Sequence, residues 1–211
     1  GGLQIEAGGD LFFAFEEPGM GAGEVIGLLA AVVVLLMAFG SVVAMGLPIG
    51  MALFGLGVGV SALSLVTDAV EIPAFATVMA SMVGLGVGID YALLIVARHR
   101  EYLAQGRGIV ESVGMAVASA GGTVVFAGGT VVVAILGLAV AGIPMVTASG
   151  IAISLVVCVM VAGSLTLVPA LLGVAGHRIN SLRVPVPRRR RPSGAPLTFG
   201  WRRWGAHVTR R

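Results

Sequence analysis

Charge is scarce in this 211-residue sequence: Asp, Glu and Arg together make up 11%, lysine is absent and aromatic residues contribute 6%. Ordinary soluble domains carry roughly 25% charged residues. A chain with 57% hydrophobic residues and a mean hydropathy of +1.04 is therefore not built to face water. Cysteine occurs once, as Cys158 within an apolar segment, which excludes an internal disulfide and leaves the redox compartment unread. Also missing is a signal peptide: Gly1 opens the sequence with no basic segment ahead of an apolar one. The expectation is a segment of a longer protein.

The longest absence is of titratable charge. Residues 112–176 contain no Asp, Glu, Lys, Arg or His. As one helix this run would extend about 98 Å at 1.5 Å per residue. A hydrocarbon core is about 30 Å thick, so the run must cross it more than once. Gly142-Ile143-Pro144 is the natural place to turn, giving spans at about 115–141 and 145–174. Residues 25–67 hold two more, near 25–45 and 47–67, with Phe39, Gly40, Ser41 and Pro48 marking the turn. Pro73 is placed to open a span over about 73–97, since a proline in the first turn forfeits no needed hydrogen bond. Runs such as VIGLLAAVVVLLMAF do not alternate in polarity, which argues against a β-barrel. The fold class is thus an all-α polytopic membrane protein, with a transmembrane bundle over residues 24–176.

Arginine sets the orientation. It follows span three, as Arg98, Arg100 and Arg107, and fills the tail with Arg178, Arg183, Arg188 to Arg191, Arg202, Arg203, Arg210 and Arg211. The other side carries Glu6, Asp10, Glu16, Glu17, Glu24, Asp68 and Glu71 and no base. The positive-inside rule puts the N-terminus outside and the C-terminus in the cytoplasm, as an odd number of spans requires. Residues 1–23 are expected to end an extracytoplasmic domain, with a short strand over LQIEA. Residues 177–211 read as a cytoplasmic Arg-rich linker. Ten arginines without an acid would suit nucleic acid, but topology and anionic lipid account for the same charge, and nucleic acid is not the expected partner. Leu197, Trp201, Trp204 and Val208 share a helical face flanked by arginines, the pattern of a helix lying at the membrane interface.

Asp90 is the one acid well inside a span, eight residues or about 12 Å before Arg98. An ionised carboxylate at that depth costs about 2.5–3.5 kcal/mol, so it needs a partner, a wet cavity or a proton. A carboxyl that exchanges its proton there is a proton carrier; a structural Asp would only tie helices together. Tyr91 adds a hydroxyl but projects about 100° away around the helix, so both residues need partners elsewhere. Thr123 and Thr130, seven apart, could line a polar path, although such hydroxyls commonly bond their own preceding turn. The many glycines, Gly84, Gly86 and Gly88 near the relay among them, suit close helix packing where burial from lipid gives no net drive.

GLGVGIDYALLIVARHREYLAQGR (84–107), GGTVVFAGGTVVVAILGLAVAGIP (121–144) and LTLVPALLG (165–173), taken in order, resemble the mycobacterial membrane protein large (MMPL) family of the resistance-nodulation-division (RND) superfamily. The similarity extends over about residues 24–176. It implies a twelve-helix transporter of two homologous halves, this chain being helices two to six of the first, in a bacterial cell membrane. It further implies that Asp90 and Tyr91 form a proton relay completed by an equivalent pair in the other half. The implied energy source is the proton gradient, without cofactor or metal, and the implied cargo is a lipid or other hydrophobic molecule. Homo-oligomerisation stays open. Two other readings compete. An intramembrane aspartyl protease would need Gly-x-Gly-Asp, but Ile89 separates Gly86-Val87-Gly88 from the acid, and no second intramembrane Asp is present. A non-transporting assembly or sensing module would retain the helices without the coupling.

Overall fold

The computed structural model describes residues 22–67, 72–180 and 207–208. Apolar sequence in lipid must satisfy its backbone hydrogen bonds internally, and the described residues form five α-helices: α1 Ala22–Phe39, α2 Val42–Val66, α3 Ala74–Ala104, α4 Ile109–Leu136 and α5 Pro144–Ala175. Short 3-10 helices follow α4 at Gly137–Ala141 and α5 at Gly176–Asn180. The strand expected over LQIEA lies outside the described residues, as does the expected interfacial helix apart from His207 and Val208.

The helix ends differ from the sequence expectation in instructive ways. The turn between the first two helices is Gly40-Ser41: Gly40 takes a left-handed φ of 60° and its N–H donates to the Leu36 carbonyl at 2.8 Å. α1 thus stops at Phe39, where glycine alone among the candidates can reverse the chain without strain. Pro48 lies inside α2, where the bundle buries it. Pro73 stands one residue ahead of α3, as its N-cap, while Pro144 begins α5 just after the left-handed Gly142. α3 continues through Arg98, His99 and Arg100 to Ala104, seven residues beyond the expected end of its span. At 31 residues it is about 46 Å long, more than a hydrocarbon core requires.

Four helical stretches, Val42–Val66, Phe75–Ala104, Ile109–Ala141 and Pro144–Ala175, are long and apolar enough to cross a membrane, and Val25–Phe39 is a shorter apolar helix. α5 is the centre, packing on α2, α3 and α4, while α1 rests mainly on α2. Glycine makes this approach possible. A methyl group on Gly84 would come within 2.5 Å of Val156, and one on Gly88 within 2.7 Å of the Met160 sulfur and 3.3 Å of Ala52. Gly55 faces the same sulfur from α2, at 2.9 Å, and Gly59 faces Val156 at 3.3 Å. Two side chains of α5 are therefore held in a cradle of four glycines from two helices.

Among the described residues, the ion pairs and the side-chain hydrogen bonds between elements gather at one end of the bundle. Arg98 pairs with Glu101 at 3.0 Å, and Arg107 at the α3–α4 turn pairs with Glu111. Arg100 donates to the Phe39 carbonyl at 3.1 Å and lays its guanidinium over the Phe39 ring, 5.1 Å from the centroid. A cation on the last carbonyls of a helix satisfies an orphan acceptor and meets the negative end of the dipole. The buried Ser41 hydroxyl donates to the Ile179 carbonyl at 2.8 Å, joining the α1–α2 turn to the segment after α5.

Two measurements check this architecture. With Cys158 replaced by serine, cysteines at Thr67 and Gln105, which follow α2 and α3, should react with a membrane-impermeant thiol reagent from opposite sides; reaction of both from one side is incompatible with the helix order. Gly88→Leu should destabilise the bundle by at least the ~1–3 kcal/mol of an overpacked core. Gly114→Leu, at a position with nothing within 4 Å, should change the thermal unfolding midpoint little; equal losses would mean that the cradle is not the tight contact.

Candidate functional site

Helical spacing along α3 separates two kinds of face. Met79, Met82, Gly86 and Asp90 recur at three or four residues and form one stripe, all exposed on the outside of the bundle. Gly84 and Gly88 fall on the opposite side, against α5 and α2. Gly86 has nothing within 4 Å where a side chain would project. The three glycines read together from the sequence thus do different things: two admit α5, and one leaves the face bearing Asp90 flat.

Tyr91 is turned from that stripe into the seam between α3 and α4. Its ring edge and hydroxyl would lie 3.5 and 3.7 Å from a methyl group placed on Gly128, and Val161 of α5 closes on the same glycine. Tyr91 therefore occupies a slot that only glycine leaves open, its hydroxyl against α4, while Asp90 remains at the surface. The roughly 100° between successive residues of a helix accounts for the division. Asp90 is an acid on a lipid-depth surface; Tyr91 is a half-buried phenol beside it.

Thr123 and Thr130 do not join them. Both are exposed on α4, rotated by more than 130° from Gly128 around that helix, hence on its far side from Tyr91. Thr130 donates to the carbonyl of Phe126 at 2.8 Å, the local back-bond common for such residues.

One residue that the sequence places in a polar connection lies instead within the fold. His99 is fully buried, and neither ring nitrogen has a hydrogen-bond partner among the described residues. The signal that could have found it is the inward stripe Ala92, Ile95, Val96, His99, which continues past Arg98 without a break.

Comparison with known proteins matches the sequence to a family. The sequence model of the MMPL family matches residues 2–211. The chain is 42% identical over 178 residues to membrane protein YdfJ of Bacillus subtilis, covering 84% of this chain and 24% of that protein. It is 34% identical over 166 residues to the trehalose monomycolate exporter MmpL3 of Mycobacterium tuberculosis, covering 76% and 17%. It is 31% identical over 179 residues to the mycolic acid-containing lipids exporter MmpL11 of Mycolicibacterium smegmatis, covering 85% and 19%. The chain thus spans about a quarter or less of the length of these relatives. An all-α bundle with an acid on the outer face of its third helix, matched from residue 2 to residue 211, is a segment of the MMPL family, and this chain belongs to that family.

Proposed function

We propose that this chain is the helical bundle of one half of a proton-driven transporter in a bacterial cell membrane, moving a lipid or another hydrophobic molecule, with Asp90 as the proton carrier and Tyr91 as its positioning residue. The observation that carries the proposal is Asp90 itself. A carboxyl exposed on the outer face of an apolar bundle, at lipid depth, faces hydrocarbon in an isolated half, where its charge would cost about 2.5–3.5 kcal/mol. A second homologous half laid along the stripe of Met79, Met82 and Gly86 would cover it and bring a partner of its own.

The chemistry needed is proton exchange, which this arrangement can couple to motion. Ionised Asp90 favours an arrangement that offers it donors or water, and protonated Asp90 tolerates an apolar one. A proton taken from one side and released to the other therefore biases two packings of the same helices. Tyr91, wedged between α3, α4 and Val161, fixes the rotation of α3 at this level and so the direction in which Asp90 points. The lipid cargo is supported by the names of relatives such as the trehalose monomycolate exporter. The arginine-bearing end, with Arg98, Arg100 and Arg107, is the cytoplasmic one on the positive-inside rule.

In the full-length protein, Asp90→Asn keeps size and hydrogen bonding but cannot carry a proton. Proton-gradient-dependent export into inverted vesicles should fall to the level of vesicles lacking the protein, with folded protein present in normal amount. Tyr91→Phe keeps the ring that wedges the α3–α4 seam and should lose less, about tenfold at most, the most that removing one hydroxyl would cost. Normal export by Asp90→Asn would remove the relay and leave the non-transporting assembly module as the better reading.

A further inference from the structure

Nine residues after Asp90, and so half a turn round the same helix, His99 faces into the α3–α4 seam. It is 0% exposed; its ring reaches the main chain of Ser112 in the first turn of α4 as its one polar neighbour among the described residues, and neither nitrogen makes a well-formed hydrogen bond there. Ser112 is itself 0% exposed, and its hydroxyl has no partner either. An orphaned buried polar group weakens the packing around it, because its lost hydration is not replaced. Two residues that meet at one seam, with the Ser112 hydroxyl and at least one imidazole nitrogen unpartnered, make this end of α4 a weak point in an otherwise tightly packed bundle.

We infer that His99 is a proton-sensitive latch on the cytoplasmic end of the α3–α4 seam, closed while the imidazole is neutral and released when it takes up a proton. A neutral ring has one N–H donor to place; an imidazolium has two donors and a charge. Among the described residues, no carboxylate facing the seam is free to receive that charge. Neither α2 nor α5 contains an Asp, Glu, Lys, Arg or His, and the Cys158 thiol of α5 is exposed on the outside. From α4 and the turn before it come Glu111 and Arg107, already paired with each other and about half exposed. On α3 itself, Arg98 is paired with Glu101, Arg100 is engaged with Phe39, and Tyr102 packs against the apolar core. Arg178, in the 3-10 helix after α5, is exposed. Among the described residues the surrounding charge is thus positive or cancelled, and protonated His99 is stable only where water reaches it.

The latch acts by selection between two states. A transient parting of the first turns of α4 from α3 exposes the imidazole, and a proton bound there holds the seam open. The closed seam keeps its full stability above about pH 6.5, the ordinary imidazole value, and loses it as the pH falls, the open-to-closed ratio rising by up to tenfold per unit. Tyr91 and Gly128 belong to the same seam, so opening also loosens the slot that orients α3. The latch itself does not depend on what the protein carries.

Amide hydrogen exchange of the purified full-length protein in nanodiscs, corrected for the chemical rate and followed from pH 8 to pH 5.5, tests this. Protection of amides 112–120 should fall by roughly tenfold per pH unit below about 6.5, while amides 152–164 in the middle of α5 stay protected. His99→Phe and His99→Gln should each flatten the profile, and Glu111→Gln should leave it in place. A flat profile in the native protein overturns the latch even if no His99 variant accumulates. Equal pH response in the native protein and a folded His99 variant, or loss of the response in Glu111→Gln, overturns it as well.

Discussion

Close approach of α5 to its neighbours is the constraint on which the rest of the bundle depends. In lipid, withdrawing an apolar side chain from hydrocarbon gains little, so helices associate through dispersion contact and need backbones near one another. Gly55, Gly59, Gly84 and Gly88 supply that proximity to Val156 and Met160, and Gly128 supplies it to Val161 and Tyr91. The thioether of Met160 is well suited to such a cradle, being unbranched and polarisable. Once α5 is seated, the rotation of α3 about its axis is fixed, and with it the outward direction of Asp90.

The middle of the bundle and its arginine-bearing end are held by different physics. Midway along the helices the contacts are between glycines and aliphatic side chains, and they are short. At the arginine-bearing end the chain returns to a polar medium, where directional bonds become available: Arg100 on the carbonyl and ring of Phe39, Ser41 on the carbonyl of Ile179. These bonds join residues 61 and 138 positions apart in sequence. They attach α1, which otherwise rests mainly on α2, to the rest of the fold.

α3 carries polar groups in three relations to the bundle. Asp90 is outward at lipid depth, Tyr91 is wedged into a seam, and His99 is buried at the end without a partner. Each costs free energy where it stands, and apolar residues would pack at all three positions more cheaply. Proton exchange is the chemistry that a carboxyl, a phenol and an imidazole have in common, and it is the chemistry on which the proposed function draws. Relatives of the chain are named as exporters of mycolic acid-containing lipids and of trehalose monomycolate, and those relatives are several times longer than this chain.

The sequence by itself determined the class of the protein and singled out Asp90 and Tyr91 as candidates. Scarcity of charge, the uncharged run 112–176, the prolines at 73 and 144 and the motif around Asp90-Tyr91 sufficed for an all-α membrane segment of this family, because hydropathy and helix-start chemistry act locally. Only the tertiary structure decided which glycines receive α5 and which lie open, that the α1–α2 turn falls on Gly40-Ser41 with Pro48 inside a helix, that Thr123 and Thr130 face away from Tyr91, and that His99 is buried. Gly84, Gly86 and Gly88 look alike in sequence, and His99 sits between two arginines that reach solvent. What distinguishes these residues is rotation about a helix axis, and that rotation is set by the helix packed alongside.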